Sequence, residues 1–77
     1  MHHINSHVTY LSPAAGLYRL YYQSRRIGEA VMVDNDAFHV SHLFSPSEGV
    51  VASLDHAANW LEKIEHAVAA AALERMA

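Results

Sequence analysis

The sequence predicts an α+β fold: an antiparallel three- to four-stranded sheet packed on one face by a long C-terminal helix. Three patterns lead there. Residues 17–23 alternate, with Tyr18, Leu20 and Tyr22 on one side and Arg19, Tyr21 and Gln23 on the other, which is the period of a strand with one wet face. The polar turn Asp34-Asn35-Asp36 separates two β-prone runs and so implies a hairpin. From Leu54 onward, apolar residues step by three and four.

Taken in order, residues 1–6 are expected to be flexible, as short termini usually are. Residues 8–43 form the antiparallel strands. Val8-Thr9-Tyr10-Leu11 is β-prone and runs into the turn signal Ser12-Pro13-Ala14-Ala15-Gly16. A helix capped by Ser12, with Pro13 in its first position, is the rival reading of that stretch. Ser24 to Gly28 reads as a loop. Glu29 to Val33 is then a strand with Val31 and Val33 on one face, and Ala37 to Leu43 a strand with Phe38 and Val40 together. Ser45-Pro46-Ser47-Glu48 has the order of a helix start, while Gly49-Val50-Val51 weakens it, so 45–52 reads as a loop or short helix, with a further strand as the alternative. The amphipathic helix spans 53–76, capped by Ser53, with Leu54, Ala57, Leu61, Ile64, Val68 and Ala71 turned towards the sheet. Alanines at 67 and 69–72 sustain it.

A chain of 77 residues makes a single domain, 1–77, near the lower limit for independent folding. An apolar share of 52% is that of a globular chain. Much of it is alanine, so the core falls to a few large side chains, including Leu11, Leu20, Val31, Val33, Phe38, Val40, Trp60 and Leu61. That thin core is a reason to expect association. With no cysteine, disulfides, thiolate metal sites and cysteine nucleophiles are excluded. No run is long enough to span a membrane and no signal peptide is visible, so the expected location is cytoplasmic. The net charge of −3 sits in the C-terminal half, where Glu48, Asp55, Glu62, Glu65 and Glu74 face only Lys63 and Arg75. Direct nucleic-acid binding, which feeds on counterion release at a basic surface, is disfavoured.

Seven histidines invite a metal or acid–base reading, but their spacing does not support it. His39 and His42, three apart on a strand, point to opposite faces. His56 and His66, ten apart on the helix, fall about 80° out of alignment at ~100° per residue. Glu62 and His66 share a face, yet two ligands make no site. No nucleophile elbow, phosphate loop or His-Glu-x-x-His run is present, so no catalytic residue, cofactor or metal is expected and the chain reads as non-enzymatic.

The remaining surfaces are of three kinds. Asp55, Asn59, Glu62 and His66 step by four, three and four along the helix, with Glu65 on the flank and Trp60 beside them as an interface anchor. These six residues are the expected partner-binding surface, suited to a protein or ribonucleoprotein with a basic face. Arg19, Arg25 and Arg26 with Tyr21 and Tyr22 would form the alternative, a small nucleic-acid-binding spot. A third possibility is a homodimeric regulatory or scaffold subunit, paired through the helix or an edge strand.

The segments Tyr18-Arg19-Leu20-Tyr21-Tyr22, Arg26-Ile27-Gly28-Glu29-Ala30 and Ser53-Leu54-Asp55-His56-Ala57-Ala58-Asn59-Trp60-Leu61 set a pattern of strands then helix over most of the chain. In size, mild acidity and element order it resembles the small anti-CRISPR proteins of phages and mobile elements. The resemblance implies a cytoplasmic inhibitor that binds a CRISPR effector complex through an acidic surface. That family is united by function rather than by motif, so no residue role carries over from it.

Overall fold

The structure, a computed structural model, describes residues 2–5 and 7–76. Six strands run in sequence order: β1 (His2–His3), β2 (Val8–Ala14), β3 (Leu17–Tyr22), β4 (Arg25–Asp34), β5 (Ala37–His42) and β6 (Glu48–Val51). Each pairs antiparallel with its neighbour in the chain, giving one sheet ordered β1-β2-β3-β4-β5-β6. The helix α1 (Leu54–Met76) closes the chain and lies on one face, over β4, β5 and β6. The α+β class, the antiparallel sheet and the C-terminal helix agree with the sequence reading; the strand count does not. The two additional strands are the short edges. β1 falls in the stretch expected to be flexible: His2 pairs with Tyr10 and His3 with Thr9, and Asn5 Oδ1 accepts bonds from the backbone N–H of His7 and Val8 at 2.8 Å each. Of that expectation, Met1 and Ser6 lie outside the described residues. β6 falls in the stretch read as a loop or short helix; its pairing with β5 outweighs the Ser-Pro helix signal.

The turns show how the meander is made. Ser12 does not cap a helix. Its hydroxyl donates to the carbonyls of Ala14 (3.0 Å) and Leu17 (2.9 Å), bracing an irregularity at the end of β2 where Pro13 can sit without a ladder bond. Gly16, at φ 76°, makes the turn into β3. Gln23 and Ser24 both adopt positive φ, 50° and 69°, so β3 and β4 are joined by a two-residue turn of the hairpin type without glycine. β4 therefore begins at Arg25, inside the segment read as a loop.

A bulge in β4 sets the core. Leu20 pairs with Gly28 but Tyr21 pairs with Arg26, leaving Ile27 as the extra residue. Ile27 and Gly28 are both buried, and Ala30 follows them on the helix side while Val31 turns away. The core is Val8, Leu20, Ile27, Ala30, Phe38, Val40, Ala57, Ala58 and Leu61. Leu11 and Val31, expected there, are exposed on the opposite face because the bulge and the pleat direct them outward, and Val33, the extra residue at a second irregularity of β4, is exposed as well. Tyr10, Tyr18 and Phe38 extend the core along an edge-to-face aromatic line, with centroids 5.5 and 5.9 Å apart.

Ser53 caps α1, its Oγ accepting from the His56 N–H at 3.2 Å. Leu54, Ala57, Ala58 and Leu61 rest on the sheet. Val68 and Ala71, expected to continue that contact, are exposed: the sheet ends beneath Glu65, and about 16 Å of helix extends past it at ~1.5 Å per residue.

Candidate functional site

Six residues of α1 were singled out by spacing, and the structure separates them. Asp55 and Asn59 are exposed, as is His66, whose Nε2 lies 3.3 Å from the Tyr22 hydroxyl. Trp60 is half-buried, its ring laid against Gly49 of β6. Glu62 leans towards the sheet, Oε1 lying 2.9 Å from Nδ1 of His7. Glu65 is not on the surface at all. It is one of two buried polar residues in the described chain, and its role is internal.

Glu65 belongs to a closed polar network with the other buried polar residue, His42. The backbone N–H of Phe44 donates to His42 Nδ1 at 3.2 Å, which places the ring hydrogen on Nε2. That Nε2–H donates to Glu65 Oε1 at 2.8 Å. Arg25 donates to Glu65 Oε2, and its guanidinium lies 5.4 Å from the centroid of the Phe44 ring. Both carboxylate oxygens are thus satisfied where α1 leaves the sheet, as a buried charge requires. The sequence signal was misleading here, because Glu65 read as the flank of the polar stripe, whereas it stands four residues beyond Leu61 on the face that packs on the sheet.

Among the described residues, shallow depressions border the remaining exposed face of α1. One, of about 440 Å³, is lined by His7, Asn59, Glu62, Lys63 and His66. Another, of about 330 Å³, is lined by Val51, Ala52, His56, Asn59, Trp60 and Lys63. Asn59 and Lys63 line both, so they form the ridge between a polar hollow and one walled by an indole. His56 and Lys63 had not been singled out as binding residues; a helical face needs its neighbours in space to reveal that they flank Trp60.

The residues of the basic spot are divided between the two faces of the sheet, Arg19, Tyr21 and Arg26 on the face away from the helix and Tyr22 and Arg25 on the helix side. Arg25 is committed to Glu65, and Arg26 donates to Glu29. His39 and His42 do face opposite ways, the first half-buried on the open face and the second under the helix. Among the described residues no group of three or more His, Cys, Asp or Glu side chains is placed to hold a metal ion. No described helix is long and apolar enough to cross a membrane. No protein-family model, no curated protein and no solved structure matches the chain.

Proposed function

We propose that this chain is a non-catalytic binding module whose macromolecular partner docks on the outward face of α1, centred on Asn59 and Trp60 and flanked by Asp55, His56, Glu62 and His66. The observation that carries the reading is the half-buried Trp60 in the lining of a hollow that it shares with Val51 and Ala52. A ring held in place against Gly49 offers apolar area at little entropic cost, which is the property of an interface anchor. The partner this face suits is a protein or ribonucleoprotein complex with a basic surface. Asp55 is exposed, and Glu62, paired with His7 and mostly buried, lines the polar hollow beside Lys63. Glu65 is withdrawn from the binding set. A CRISPR effector complex is the narrower form of this proposal, resting on the resemblance in size and element order.

The test is affinity capture from host extract, followed by titration of the captured component. Trp60→Ala and Asp55→Lys should each weaken binding by about tenfold or more, as truncation of an anchor does. His39→Ala, on the other face of the sheet, should leave it unchanged. If all three variants bind like the wild type, the face is wrong; if only acidic components are retained, the charge argument is wrong.

A further inference from the structure

The face of the sheet opposite α1 is uncovered among the described residues, and it carries a pattern that complements itself. Because direct cross-strand partners share a face, the pairing defines two rows on it. Leu17, Val31, His39 and Val50 lie side by side across β3, β4, β5 and β6. One row along, Arg19, Glu29, Ser41 and Glu48 cross the same four strands. Val31 is 39% and Val50 66% exposed, although both are residues that favour burial.

We infer that this face is the seam of a homodimer, in which a second copy of the chain stacks sheet against sheet. Consider a two-fold axis parallel to the strands, passing between β4 and β5 in the plane of the interface. It carries β3 of one copy over β6 of the other, and β4 over β5. Leu17 then meets Val50 of the other copy, Val31 meets His39, Glu29 meets Ser41, and Arg19 meets Glu48. The apolar ends Leu17 and Val50 meet, the charged ends Arg19 and Glu48 meet as opposites, and neither row sets like charges against each other. An isologous contact demands that property, since one patch must fit itself. Aligned sheets cross at about 30°, an offset the long Arg19 side chain spans.

Charge also selects this face over the others. Arg19 and Arg26 stand against Glu29, Asp34 and Glu48 there, so the face is close to neutral and most of the net charge of −3 resides on the remainder of the molecule, where two copies repel. The strands are spaced about 4.8 Å and rise about 3.3 Å per residue. The four overlapping strands, of which β6 has four residues, therefore present roughly 19 by 13–20 Å in plan before side-chain relief, a small seam beside the ~800 Å² of accessible surface that each partner of a stable pair buries. This inference is independent of the partner site on α1, which lies on the other side of the sheet.

The test is light scattering of the full chain at micromolar concentration, with circular dichroism on each variant. The wild type should show twice the 8.5 kDa chain mass. Arg19→Glu and Glu48→Arg should each raise the dissociation constant by about tenfold, by setting like charges opposite one another. The double variant R19E/E48R should recover the wild-type mass, a rescue that no other seam provides. Val50→Lys should give a folded monomer, while Leu73→Lys on the projecting helix leaves the dimer intact. A monomeric wild type overturns the proposal. So does loss of the dimer in Leu73→Lys but not in Val50→Lys, which would put the seam on the helix.

Discussion

Gly28 occupies the closest approach of helix and sheet. A Cβ added there would collide with the Ser41 carbonyl oxygen of β5 and lie 2.9 and 3.1 Å from the two Leu61 methyls. Relieving the first contact would disturb the β4–β5 ladder, and relieving the second would lift the helix. Gly28→Ala should therefore destabilise by about 1–3 kcal/mol, the usual cost of overpacking. The turn at Gln23 and Ser24 gives the opposite case. Ser24 holds φ at 69°, where an L side chain is strained, and glycine would relieve it. Ser24→Gly should gain roughly 0.5–1 kcal/mol net of the added freedom of the unfolded chain. Urea unfolding of the two variants checks both signs; equal shifts in one direction would show that the local geometry is misjudged. These residues also mark what sequence could not supply. Gly28 read as the end of a loop because nothing local reveals a Leu above it. Gln23-Ser24 lacks the Asn-Gly signature that announces a tight hairpin, so β4 was read as starting four residues late. Where the side-chain pattern is the whole signal, as in Tyr18, Leu20 and Tyr22, the expectation held: Leu20 is fully buried and both tyrosines pack beside it.

At the scale of elements, α1 divides at Glu65. Up to that residue it is held by apolar contact through Leu54, Ala57, Ala58 and Leu61, and by the Arg25–Glu65–His42 clamp. Beyond it, residues 66–75 are exposed, with Val68 at 44% and Leu73 at 68%. The docked half has already borne the cost of nucleation, so each added alanine extends the helix at little further expense. Arg75 in the last turn suits the negative end of the helix dipole. Spacing made the helix and its start legible, since Ser53 and the steps of three and four are local. Spacing could not show where the sheet stops, because Val68 continues the stripe whether or not anything lies beneath it. The two halves should respond differently to change. Leu61→Ala removes the side chain seated over Gly28 and should cost about 2–5 kcal/mol. Deleting residues 69–77 removes no buried contact among the described residues and should cost less than about 1 kcal/mol. Denaturant unfolding decides; a truncation as costly as Leu61→Ala would mean that the projecting half is packed in solution.

For the whole molecule, the two proposed surfaces lie on opposite sides of one sheet, and that arrangement constrains how they work together. Stacking two copies by their open faces gives four layers, helix, sheet, sheet and helix, with the sheets about 10 Å apart. Each α1, with Asn59 outward and Trp60 at the edge between helix and sheet, then lies on an outer surface, and the two binding faces point away from each other. A single flat partner surface cannot engage both. The dimer should accordingly bind one partner per chain, at two independent sites, with avidity only towards partners joined by a linker long enough to pass around the stack. Sites this far apart with no shared side chain should also be energetically additive, within about 0.5 kcal/mol. Calorimetric titration of the captured partner measures both quantities: the ratio should be one partner per chain for the wild type and for monomeric Val50→Lys, with the same intrinsic affinity. One partner per two chains, restored to one per chain by Val50→Lys, would show that dimerisation covers or shares the helix face, and the sheet-to-sheet arrangement would be wrong even if the dimer itself were real.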